Sequence, residues 1–109
     1  MQRPLLLCAI ALMSLAARAA EPVQILIKSQ AFVPQEIQVP AGEKVQLVVV
    51  NQDAVPAEFE SYDLSREIVV PAHGQVKLYI GPLDPGRYRF FNDFHQASEG
   101  WVVATAAAK

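Results

Sequence analysis

Short apolar runs alternating with polar residues recur along the chain. Glu36-Ile-Gln-Val-Pro40 and Val76-Lys-Leu-Tyr-Ile80 alternate residue by residue, and Val23-Gln-Ile-Leu-Ile-Lys28 is brief and rich in β-branched side chains. Residues two apart share one face of an extended chain, so these segments predict half-buried strands. Val45-Gln-Leu-Val-Val-Val-Asn51 is apolar almost throughout and predicts a strand of the core. Glu67-Ile-Val-Val70, Tyr88-Arg-Phe-Phe91 and Gly100-Trp-Val-Val103 read as further strands, with Glu58-Phe-Glu60 a short extended piece.

Turn chemistry separates them. Pro40-Ala-Gly42, Pro71-Ala-His-Gly74 and Gly81-Pro-Leu-Asp-Pro-Gly86 combine prolines that preset φ with glycines that accept positive φ, and Asn51 to Pro56 reads as a loop. No helical period runs through the chain after residue 20. Closely spaced strands with this punctuation predict an all-β fold, an antiparallel Greek-key β-sandwich.

The first residues read differently. Met1-Gln-Arg3 gives a positive start, Leu5 to Leu15 an apolar stretch and Ala17-Arg-Ala19 a small-x-small cleavage site, so residues 1–19 are expected to be a signal peptide and residues 20–109 one domain. The apolar stretch is short for a bilayer span, which makes the processed chain one that does not span the membrane. Cys8 follows bulky Leu7 rather than small residues, which argues against lipid attachment. Arg3 and Arg18 leave with the signal, so 7 of the 9 basic residues face 11 acidic ones, a formal charge of −4. Nucleic acid is a poor partner for such a surface. Cys8 also leaves, so the processed chain has neither thiol nor disulfide. With two histidines and no cysteine, no Ser-His-Asp or Cys-His hydrolase arrangement can be assembled.

From Phe32 to Val103 the chain resembles the cupredoxins. The resemblance is carried by Phe32-x-Pro34, Val39-Pro-Ala-Gly42, Val48-Val-Val-Asn51-x-Asp53, Glu58-Phe59 and Leu83-Asp-Pro-Gly86-x-Tyr88-x-Phe90, followed by His95 and Gly100. In that family a His after the Asn-x-Asp loop joins a Cys, a His and a Met from the loop after the Pro-Gly-x-Tyr-x-Phe strand to hold type 1 copper. Here the first position is Ala57, the cysteine position is Asn92, and the methionine position falls near Ser98 or Glu99. Of the four, His95 alone is kept, and a type 1 blue-copper site cannot be built. Pro56-Ala-Glu58-Phe-Glu60-Ser61 and Phe90-Phe-Asn-Asp93-Phe-His95 are similar to a variant branch, the cupredoxin-like domains of Ftr-type and EfeO-type bacterial iron uptake. That resemblance implies a periplasmic accessory of a ferrous-iron permease or other periplasmic iron-uptake components, with at most an assisting role in Fe(II) oxidation.

Strand geometry puts Glu58 and Glu60 on one side and Phe59 on the other, so the carboxylates converge while the ring packs inward. Like charges so close repel unless something positive lies between them. With Asp93 and His95 they form a candidate metal site, Glu58, Glu60, Asp93 and His95, whose donors suit iron or Cu(II) over Cu(I). The plainer reading is a solvated acidic face with His95 bonded to a carbonyl. A chain that has kept the sandwich, lost its ligands and docks a partner is the alternative in function. His73, in a turn composition, is expected to be exposed. Trp101 is expected to fill the core, and Phe94, less firmly, to join it.

Overall fold

The computed structural model describes residues 20–106; the expected signal peptide and the end of the Ala-rich tail lie outside the described residues. Nine strands form among the described residues, β1 (Val23–Lys28), β2 (Ala31–Val33), β3 (Glu36–Pro40), β4 (Val45–Asn51), β5 (Ala57–Ser61), β6 (Arg66–Val70), β7 (Gln75–Ile80), β8 (Gly86–Asn92) and β9 (His95–Thr105). They make two facing sheets, ordered β2-β1-β4-β7 and β3-β9-β8-β5-β6. The expected all-β sandwich is the fold.

Alternation sets what each strand buries. Ile25 and Ile27 from β1 and Leu47 and Val49 from β4 face Phe59, Phe90 and Val102 from the second sheet, and all seven are fully buried in one core cluster. At its centre Phe32 meets Phe90 edge-on at 4.8 Å and Phe59 at 6.2 Å, and Phe59 lies 5.0 Å from Phe90. Such pairs add to what area burial alone supplies. Gly100 serves this cluster, because a Cβ there would run into the Phe90 ring and lie 2.7 Å from the Gln35 carbonyl oxygen.

Most strand pairs are antiparallel, as expected, but β1–β4 and β3–β9 are parallel. Parallel pairing needs a long crossover. The chain provides it by passing from β1 through β2 to β3 in the other sheet before it returns as β4. Side-chain alternation has a period of two in either direction, so the sequence pattern carries no trace of this choice.

The β1–β2 strand pair turns at Ser29 and Gln30, both with positive φ, 51° and 63°. Asp53 holds that turn from a distance in sequence, its carboxylate accepting the Ser29 N–H at 2.8 Å and the Gln30 N–H at 2.7 Å. Asn51, fully buried, orders the loop that carries Asp53. Its Nδ2 donates to the Val55 and Val70 carbonyls and its Oδ1 accepts the Asp53 N–H. The Asn51-x-Asp53 pattern is therefore a brace of the fold. On one flank of the sandwich the edge strands β6 and β7 approach each other, and the Arg66 guanidinium donates twice to the Tyr79 carbonyl, at 3.2 and 2.9 Å.

Two corrections concern aromatics. Trp101 lies outside the core, half-buried, with the Arg87 guanidinium 5.0 Å from its ring centroid, because Val102 takes the inward position of β9. Phe94 sits at the tip of the β8–β9 turn and is half exposed. His73 is exposed, as expected.

Phe59→Ala is expected to lower unfolding free energy by about 3–5 kcal/mol, measured by urea denaturation, because the surrounding rings cannot collapse into the space. Asn51→Ala is expected to cost about 1–3 kcal/mol in the same assay, since the Val70 carbonyl loses its buried donor; a change near zero in either case would contradict these roles.

Candidate metal centre

The site grows out of β5. Phe59 points into the core, so Glu58 and Glu60 share the opposite, outer face of the five-stranded sheet. On one side of β5 the register sets Phe59 opposite Asn92 and Glu60 opposite Phe91, which carries on to bring Asp93 opposite Glu58. On the other side Glu60 faces Glu67 and Glu58 faces Val69 across β6.

Two hydrogen bonds lock the Glu58–Asp93 approach. The Glu58 N–H donates to Asn92 Oδ1 at 3.1 Å and the Asp93 N–H donates to the Glu58 carbonyl at 3.1 Å. Asn92 Oδ1 also accepts the Phe94 N–H at 3.1 Å. The residue in the expected cysteine position is thus a fully buried clamp that joins β5 to the β8–β9 turn. Gln96 Nε2 donates to Asp93 Oδ1 at 3.0 Å and restrains that carboxylate.

As a result one carboxylate oxygen each from Glu58, Glu60 and Asp93 lie within 4.8 Å of one another. Glu58 is only 7% exposed, and its Oε1 is enclosed without a hydrogen-bond partner. Burial first, then Glu67, Asp93 and Glu60, push the Glu58 carboxyl from its ordinary 4.5 up to about 7. The Glu60 carboxyl is also raised, by burial and then by Asp93 and Glu67. No salt bridge among the described residues reaches this group: Arg89 is held by Glu99 at 2.6 Å and Arg87 by Glu36 at 3.3 Å. An orphaned buried oxygen among like charges lacks a cation or a proton.

Of the four residues read from the sequence, three therefore meet and His95 is not in the group. His95 begins β9 directly opposite Asn92, exposed to solvent, because a tight turn at Asp93 and Phe94 joins β8 to β9. Beyond the turn Phe91 pairs with Glu99, which leaves Gln96, Ala97 and Ser98 as a bulge. Glu99 is engaged by Arg89, and Tyr62 stacks against Phe91 at 5.4 Å. Glu67 escaped the sequence reading, although its place opposite Glu60 follows once the β5–β6 hairpin is paired.

Type 1 copper does not fit these residues. Its positions hold Ala57, Asn92, His95 and, for the methionine, Ser98 or Glu99; Ala57 and Asn92 are buried in structural roles, and no thiolate exists among the described residues. The carboxylate group beside those positions offers oxygen instead, which suits harder cations.

Comparison with known proteins agrees with this architecture. An uncharacterized protein of Rickettsia prowazekii (strain Madrid E) is 42% identical over 82 residues, which cover 74% of this chain and 66% of that protein, just under two thirds of its length. The fold is shared with the Cu(I)-bound metal-binding domain of a Cu(I)-exporting P-type ATPase of Streptococcus pneumoniae, at TM-score 0.67 and 13% identity, covering 77% of this chain and 84% of that one. It is shared also with auracyanin A, a blue copper protein of Chloroflexus aurantiacus, at TM-score 0.66 and 16% identity over 78% of this chain and 98% of that one. A purple cupredoxin of Nitrosopumilus maritimus matches at TM-score 0.57 and 20% identity, over 76% and 99% of the two chains. The model of the cupredoxin-like domain matches residues 4–104, and the chain belongs to the cupredoxin-like domain family.

Proposed function

We propose that this protein is an exported, periplasmic metal-binding member of its family that holds an iron or copper ion through Glu58, Glu60 and Asp93, and serves as an accessory to a ferrous-iron permease system. The observation that carries the reading is the enclosed, partnerless Oε1 of Glu58 inside a group of three carboxylates. Folding gathers negative charge that no salt bridge among the described residues offsets, and a bound cation removes both the repulsion and the unmet oxygen. The resemblance of Pro56–Ser61 and Phe90–His95 to the iron-uptake branch supports the cellular role, and the N-terminal pattern supports export. His95, one turn away from the carboxylates, is the nearest candidate for an imidazole donor that swings in when the ion arrives.

A second reading is the metal-free docking module. The exposed rings of Tyr62, 76%, and Phe94, 50%, both adjoining the acidic group in sequence, favour it.

Calorimetric titration of the processed protein with Cu(II), Fe(III) and Fe(II) is expected to show one bound ion, with Glu58→Gln and Glu60→Gln each weakening it by about tenfold or more. Absence of heat with all three ions would remove the metal reading and leave the docking module. His95→Ala in the same titration decides whether the imidazole takes part.

Proton competition gives a second prediction. Glu58 is raised in the folded protein, so its contribution to metal-free stability is complete below 4.5 and is lost as pH rises through about 7. The metal-free melting temperature is therefore expected to be higher at about pH 5 than at about pH 8, and Glu58→Gln is expected to flatten that difference. Bound metal acts in the opposite sense, stabilising most at the higher pH, where the carboxylates are free of protons.

A further inference from the structure

The described carboxylates on the outer face of β5 and β6 do not stop at three. Glu67 is the directly opposed cross-strand partner of Glu60, which puts its Cβ about 5 Å from that of Glu60 on the same face of the sheet. It lies on the diagonal from Glu58 across β6, and after burial its charge is among the causes that raise the Glu58 carboxyl. Glu60 and Glu67 line a hollow of about 300 Å³ together with Ser61, Tyr62, Ser65 and Arg66. The Arg66 guanidinium is held on the Tyr79 carbonyl, and Glu67 takes part in no salt bridge among the described residues.

The arrangement is therefore a square with Glu58 and Glu60 as its spine. Asp93 stands on one side and Glu67 on the other, while Val69 and Phe91 occupy the remaining opposed positions. A face of this kind in isolation would be an ordinary acidic surface. What marks it as a site is the independent fact that Glu58 is more than nine-tenths buried with one oxygen lacking any partner. Three of these carboxylates already meet within 4.8 Å, Glu67 stands beside them across β6, and with His95 outside the group a set of four would be all oxygen. Affinity of such sites follows ligand charge and hardness, so a small ion of charge three gains more from this set than a borderline ion of charge two.

We propose that Glu67 is a fourth oxygen donor at this site, and that the four-carboxylate set selects a hard trivalent cation over divalent borderline metals. The inference rests on the metal-binding reading above and specifies both its ligand set and its cargo. Fe(III) is the biological ion of that class, and Tb(III) is the probe, because light absorbed by Tyr62 at the rim of the hollow is passed to a bound Tb(III) ion and emerges as its green emission.

The experiment is Tb(III) titration of the processed protein followed by sensitised emission, with Zn(II) and Cu(II) as competitors. The expected result is saturable emission at one equivalent, displaced by Fe(III) at lower concentration than by Zn(II). Glu67→Gln, which keeps size and removes charge, is expected to weaken Tb(III) at least about tenfold while Zn(II) binding changes by less than about threefold. Glu99→Gln, on the same sheet face but bound to Arg89, serves as the control and is expected to leave the Tb(III) curve in place. Circular dichroism of each variant establishes that the sheet is intact. Equal Tb(III) affinity in wild type and Glu67→Gln would overturn the role of Glu67 while leaving the three-carboxylate reading standing. Preference for Zn(II) or Cu(II) over Tb(III) would overturn the trivalent selectivity, and failure of every ion to bind would overturn the metal reading itself.

Discussion

Phe59 has no solvent exposure and is wedged between Phe32 and Phe90, and a strand anchored in that way cannot slip by one residue without turning all its side chains over. Its position fixes which way Glu58 and Glu60 point. The pairing of Phe59 with Asn92 then fixes what meets them from β8, and the pairing with Ile68 fixes what meets them from β6. An aromatic ring in the core thus determines the placement of charge on the far side of the sheet. Repulsion among the carboxylates is a local cost carried by this anchor, which is how a folded chain can hold a buried carboxylate oxygen without a partner.

The loss of the copper thiolate position did not leave a hole. Asn92 occupies it with an amide that accepts from two backbone N–H groups and sends its Nδ2 toward the Gln30 carbonyl. Where the family's loop uses that position for a soft ligand, this chain uses it to tie three segments together at one end of the sandwich. The carboxylates lie one residue over, at Glu58 beside Ala57 and at Asp93 beside Asn92. The family scaffold is kept, and the chemistry on offer has moved from the inward-facing positions of β5 and β8 to the outward-facing ones.

How much of this was legible follows from what side-chain pattern records. The bounds of β1, β3 and β4 could be read directly, because in each a run of alternating or β-branched residues ends on turn chemistry. The convergence of Glu58 and Glu60 was legible for the same reason, being a matter of period within one strand. What lay between strands was not. β2 is three residues long, too short to show a period, and the parallel pairing of β1 with β4 and β3 with β9 leaves the alternation unchanged. Glu67 comes to stand opposite Glu60 through hairpin register, and His95 stays outside the group because β9 starts at that residue after a tight turn at Asp93 and Phe94. Trp101 was misread because a large ring suggests the interior, whereas the neighbouring Val102 had the inward parity and the indole found a guanidinium instead.

The double hydrogen bond from Arg66 to the Tyr79 carbonyl has a meaning for life among other proteins. A sandwich with open flanks offers unpaired backbone groups to any passing extended chain, and long-lived aggregates grow by such additions. By reaching across from one sheet margin to saturate an acceptor on the other, a charged side chain closes that flank and plants a positive charge where an intruding strand would have to lie. With a single cysteine in the whole sequence, no disulfide within the chain can police the same boundary, and the guard at this margin is one guanidinium and its geometry.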